Sequence, residues 1–111
     1  MTQLPLSFLI HEMEYHEFYG SDSWDTDLYR EPVTVKNIRF DETTVYSKDL
    51  TERKIVANGV VFVDGFHSTP IPDFKEESKV YINGKKYIIV KVIPCYQPQS
   101  NTIHHYELEV V

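Results

Sequence analysis

Short stretches of alternating or continuous apolar residues, separated by polar and Pro-bearing clusters, predict strands joined by loops. The first apolar stretch, Leu4-Pro5-Leu6-Ser7-Phe8-Leu9-Ile10, predicts one helical turn opened by Pro5. A first strand then spans roughly His11 to Phe18. Met13 and Tyr15 alternate there with Glu12, Glu14 and His16, the pattern of a sheet with one wet face. Gly20 to Asp27 has neither helix nor strand periodicity and predicts an exposed loop. The second strand begins after Pro32. Val33 and Val35 share one parity, Ile38 and Phe40 the other, so a single extra residue near Lys36-Asn37, a β-bulge, restores a common face.

Asp41 to Arg53 is polar and turn-rich, and Lys54 to Asp64 resumes as a third strand. Val56, Val60 and Phe62 fall on one face of it, Ile55, Val61 and Val63 on the other, and Gly59 marks a bend or a close backbone approach. Pro70 and Pro72 remove ladder donors, so Gly65 to Pro72 predicts a long, fairly rigid connection. Asn83-Gly84 supplies the positive φ angles of a tight hairpin turn. In that register Val80 and Ile82 share a face with Tyr87, Ile89 and Ile93, leaving Tyr81, Ile88, Val90 and Val92 opposite. Both faces are apolar, which predicts that one is covered by the core and the other by a partner. Pro94 to Asn101 is a second loop, and the last strand turns His104, Tyr106, Leu108 and Val110 inward, with His105, Glu107 and Glu109 outward.

These elements predict a mainly β domain over residues 1–111, a small antiparallel barrel or sandwich of about six strands with long loops and at most a short N-terminal helical turn. Composition agrees, since eight Tyr, six Phe and the Val/Ile-rich runs favour strands. A net charge of −6 argues against binding a phosphate backbone. One cysteine, Cys95, permits no internal disulfide, and no stretch reads as a signal peptide or a membrane span; a reducing cytoplasm is the expected setting.

Chemistry is sparse. Five histidines invite a metal hypothesis, but adjacent His104 and His105 point to opposite faces of a strand and cannot both ligate one ion without a kink. No Cys or His pair has structural-zinc spacing either, so no metal site and no cofactor are expected. Asp22, Asp25 and Asp27 lack the ligand order of a calcium loop and read as a solvated acidic turn. Cys95 has no Gly-rich elbow, and glycines only at 20, 59, 65 and 84 allow no phosphate-cradling loop, so no enzyme activity is expected. Trp24, a large indole in a polar loop, is either folded onto the core or held out as an anchor for another protein. With Tyr29, Tyr87 and Ile89 it makes up the candidate protein interface.

The order of several segments resembles the small phage minor capsid protein family, found in the head gene clusters of tailed phages and prophages of Gram-positive bacteria. The segments are Glu31-Pro32-Val33-Thr34-Val35-Lys36-Asn37-Ile38-Arg39, Ile55-Val56-Ala57-Asn58, Ser68-Thr69-Pro70-Ile71-Pro72-Asp73-Phe74-Lys75, Asn83-Gly84-Lys85-Lys86-Tyr87 and Ile103-His104-His105-Tyr106-Glu107-Leu108-Glu109. The layout is also similar to head-completion proteins of long-tailed phages, by architecture alone. The resemblance implies a non-enzymatic virion protein, a head-tail connector that links portal to tail as a ring. It implies portal or adapter, tail-completion protein and identical copies as partners, and the virion, with the host cytoplasm during assembly, as location. The Asp41 to Arg53 loop is then expected to line or plug the channel and the Trp24 loop to meet a neighbour. The competing reading is a β-barrel adaptor that binds a peptide or carbohydrate through Tyr19, Trp24 and Tyr29.

Overall fold

A computed structural model describes residues 4–48 and 51–111. Its strands are β1 (His11–His16), β2 (Phe18–Ser21), β3 (Asp27–Tyr29), β4 (Val33–Asp41), β5 (Val45–Tyr46), β6 (Ile55–Ala57), β7 (Gly59–Asp64), β8 (Lys79–Ile82), β9 (Lys85–Tyr96) and β10 (Ile103–Val110), preceded by a 3-10 turn at Leu6–Phe8. In the order β1-β4-β7-β10-β9-β8, six strands close into an antiparallel barrel, while β2–β3 and β5–β6 form separate two-stranded ribbons. Closure leaves the barrel without a sheet edge. The mainly β architecture and the turn after Pro5 follow the sequence pattern; the closed barrel, rather than a sandwich, is what the strand pairing produces.

Inward parity builds the core. Met13 and Tyr15 of β1 meet Val35, Ile38 and Phe40 of β4, Val61 and Val63 of β7, Leu108 and Val110 of β10, and Val80, Ile82, Tyr87 and Ile89 of the β8–β9 hairpin. The parity change along β4 is the expected bulge: Glu12 pairs with Lys36 and His11 with Ile38, leaving Asn37 as the extra residue at φ 61°. Asparagine tolerates this left-handed backbone better than most residues. The bulge also docks the Pro-bearing connection, because Asn37 Nδ2 donates to the His67 carbonyl and Lys36 exchanges backbone bonds with Thr69. Gly59 is a close approach, since a Cβ there would lie 2.6 Å from Cε1 of Phe40.

Other parts depart from the pattern. A bulge at Val90 reverses parity in β9, because Ile89 faces Val110 while Lys91 faces Glu109. Val92 therefore packs on the core and Ile93 does not, the reverse of the expected faces. The third strand is broken at Asn58, so Ile55–Ala57 leaves the barrel and pairs with Val45–Tyr46 inside the expected polar loop. Residues 49 and 50 of that loop lie outside the described residues. The loop at Gly20–Asp27 is instead mostly a hairpin, β2–β3, turning over residues 22–26.

Two buried polar groups tie loop segments to the barrel, Asp64 at the end of β7 and Tyr15 near the end of β1. Asp64 is fully buried and accepts backbone N–H bonds from Leu4 (3.1 Å), Phe66 (2.9 Å) and His67 (2.7 Å), tying the N-terminal segment to the end of β7. Tyr15 is 1% exposed, and its hydroxyl accepts from the Lys75 amide at 2.9 Å and lies within hydrogen-bond distance of Ser78 Oγ and the Asp73 carbonyl. Burial pushes the Tyr15 phenol above its ordinary value of 10.0. The unfolded chain ionises first as pH rises, so the stabilisation is complete below pH 10 and is lost as pH climbs through the folded value. Tyr15→Phe leaves the Lys75 amide without this acceptor and is expected to cost about 1–2 kcal/mol at pH 7. Urea titrations of both proteins should show that cost shrinking above pH 10; a pH-independent difference would contradict it.

Candidate interaction surfaces

The β2–β3 hairpin projects from the start of β4, and its tip is built by Asp22. One carboxylate oxygen, Oδ1, accepts from the amides of Trp24 (2.8 Å) and Thr26 (3.0 Å), and the Asp22 backbone bonds Thr26 and Asp25. This is an Asx-type turn, in which the side chain stands in for backbone. Asp25 takes φ 58° within it, and the Trp24 side chain is thrown out to 86% exposure. The indole is thus held out rather than folded back. At the base, Tyr29 packs edge-on against Phe18, and Lys79 Nζ sits 4.5 Å above the Tyr29 ring. Arg30 covers one face of Tyr19 and pairs with Glu17 at 2.7 Å. The acidic residues of the tip therefore organise a turn: Asp22 is committed to amides and Asp27 accepts from Ser21 Oγ.

Tyr87 and Ile89 correct the expected interface. They are 6% and 0% exposed in the barrel interior, with Tyr87 tilted against Phe40 at 4.9 Å, so neither offers a surface. Part of the barrel's outer apolar face is sealed by the chain itself, since Phe8 packs edge-on against Phe62 and His16 against Tyr81. What stays open lies around β5–β6. Val90, turned outward by its bulge, joins Val45, Tyr46 and Val56 in an open cleft of about 380 Å³. Ile55 beside it on β6 is 62% exposed. Ser47, Lys48, Lys91 and Glu109 complete the cleft's lining, so the apolar floor carries a polar, charged rim. The two surfaces project from opposite ends of β4, a strand of 9 residues.

A third cluster lies on the outer face of β9 and β10. Cys95 is the cross-strand partner of His105, and Glu107 follows two residues along the same face. Glu107 Oε2 lies 3.3 Å from Cys95 Sγ and 3.1 Å from His105 Nε2. Burial, then the bond to the Glu107 carboxylate, pushes the Cys95 thiol up to about 11. A bulge at His104 in β10 supplies the kink that the sequence alone did not reveal: Ile103 faces Tyr96 and His105 faces Cys95. His104 Nδ1 and His105 Nδ1 consequently lie 2.7 Å apart. Sequence reasoning missed this grouping because the partner of Cys95 depends on the register across the loop at 97–102. The one readable signal was His105 and Glu107 at i and i+2 in a strand.

The chain matches the family described as "Minor capsid protein" over residues 5–110. The chain belongs to this minor capsid protein family. A similar protein, described as "Uncharacterized protein ORF5" of Lactococcus phage LL-H, is 30% identical over 92 residues, which cover 80% of this chain and 72% of the relative. No solved structure matches. Membership makes the chain a phage structural protein that meets other proteins of the virion. Among the described residues, no helix is long and apolar enough to cross a membrane.

Proposed function

We propose that this minor capsid protein is a head-tail connector component, assembled as a ring that completes the head and links the portal to the tail. The observation that carries the reading is the pair of dissimilar surfaces at opposite ends of β4, an exposed indole on an acidic tip and a cleft of mixed apolar and charged lining beside Val90. A ring of identical copies needs heterologous contacts, in which each subunit offers two different faces. A strand of that length separates its ends by roughly 26 Å at about 3.3 Å per residue, enough to keep the two contacts independent. A net charge of −6 suits a channel through which DNA must pass without being gripped. In this reading the β5–β6 segment and its loop face the channel or an adjoining ring, and the Trp24 tip meets a neighbour.

The alternative, a peptide- or carbohydrate-binding adaptor, is supported less well. Arg30 and Lys79 already cover one face each of Tyr19 and Tyr29, so that Tyr19 is 49% exposed against 86% for Trp24, and the three rings do not form one open stacking platform. Deleting the gene and imaging the particles by electron microscopy tests the connector role. Tailless or DNA-leaking heads are expected; particles of normal form and infectivity would dismiss it.

A further inference from the structure

We propose that Cys95, His105 and Glu107 form a zinc site on the outer face of the β9–β10 pair, with His104 orienting the His105 ring. The three ligand atoms already lie within 4.8 Å of one another. A tetrahedral zinc ion with Zn–S near 2.3 Å and Zn–N or Zn–O near 2.0–2.1 Å holds its ligands about 3.3–3.6 Å apart. Separations of 3.3 Å from Sγ to Oε2 and 3.1 Å from Nε2 to Oε2 need only a few tenths of an ångström of spreading, and the third pair, Sγ and Nε2, within 4.8 Å, comes to about 3.6 Å in a bound site. Antiparallel pairing supplies this convergence: Cys95 stands directly across from His105, next to the bulge at His104, on strands rather than on a loop.

A buried histidine backs the cluster. His104 is 3% exposed, and its Nδ1 lies 2.7 Å from Nδ1 of His105. One nitrogen of that pair must carry the hydrogen. With His105 Nδ1–H donating to His104, His105 Nε2 carries a lone pair 3.1 Å from Glu107 Oε2, and two electron-rich atoms so close are suited to sharing a cation. Thiolate and imidazole select zinc, cobalt or copper over calcium and magnesium. On binding, Cys95 releases its thiol proton to solvent, and thiolate plus carboxylate then neutralise the dication. Side-chain exposures of 15% for His105 and 35% for Glu107 shield the site yet leave an entry path, so the fourth position falls to water. The ion would staple β9 to β10 beside the connection at 97–102.

Titration of the full chain with Co²⁺ tests the proposal directly. A thiolate-to-cobalt charge-transfer band with the intense visible absorption of tetrahedral cobalt, saturating at one equivalent and displaced by Zn²⁺, is the expected result. Competition against a chromophoric chelator should show zinc binding weakened at least about 100-fold in Cys95→Ser and about 10-fold or more in Glu107→Gln and His104→Ala. Zinc should raise the melting temperature of the parent protein and not that of Cys95→Ser. No charge-transfer band in the parent protein would overturn the site, and so would zinc affinity unchanged by Cys95→Ser. The cobalt spectrum of the parent protein needs no variant to fold.

Discussion

Asp64→Ala is expected to lose about 3–4 kcal/mol of folding stability. The carboxylate is fully buried and faces three backbone amides at 2.7–3.1 Å. Hydrogen bonds to a charged group contribute about 1.5–3 kcal/mol each, and removing the acceptor leaves amides that must be resolvated. The bonds from Leu4, Phe66 and His67 are only part-buried, which keeps the total below the sum of three full bonds. The loss is not confined to one place. Asp64 joins Leu4 to the end of β7, and its own amide donates to Ser68 Oγ in the connection that docks on the β4 bulge. For a chain of this size the change corresponds to a fall in melting temperature of roughly 15 °C or more. Asp64→Asn should lose a large part of the same stability, because the amide presents N–H₂ towards donors. Thermal and urea unfolding measure both; a loss under about 1 kcal/mol for Asp64→Ala would mean that rearranged backbone or water replaces the carboxylate.

Trp24→Ala should have the opposite profile, with little change in the fold and a large change in the particle. The indole is 86% exposed on a turn held by Asp22, so truncating it removes almost no intramolecular packing. Folding stability should stay within about 0.5 kcal/mol. Interface tryptophans buried in a partner commonly contribute 2 kcal/mol or more, which is roughly 30-fold in affinity. In the proposed ring every copy would use the contact, so incorporation into particles should fall at least that far. Quantifying the protein in purified particles by mass spectrometry, with the variant supplied in place of the parent, decides the matter. Normal incorporation would remove Trp24 from the interface. Asp22→Ala, which frees the turn and leaves the indole in place, should give a smaller defect if rigid presentation is what matters.

Legibility in the sequence followed the range of the interactions involved. The inward faces of β1 and β10 were readable because Met13 and Tyr15, and Leu108 and Val110, alternate with charged neighbours. The Asn37 bulge was readable because a parity change between Val35 and Ile38 admits one simple repair. In the β8–β9 hairpin both faces are apolar, so parity alone could not say where it reverses, and Val92 and Ile93 were exchanged. Tyr87 and Ile89 were offered as an interface for the same reason, although they fill the barrel. The two small ribbons were read mostly as loops, because segments as short as Val45–Tyr46 carry too few positions to show a period.

The sequence by itself determined the β character of the chain, the tight turn at Asn83-Gly84, the first bulge and the faces of the strands that alternate cleanly, because local backbone preference and period-two burial act within a few residues. Only the tertiary structure decided the closure of the barrel, the bulges at Val90 and His104, the outward presentation of Trp24 and the meeting of Cys95 with His105 and Glu107. Those features depend on which strands lie side by side and in what register. Pairings between distant segments are selected by filling a barrel interior of limited volume, a condition no local pattern encodes.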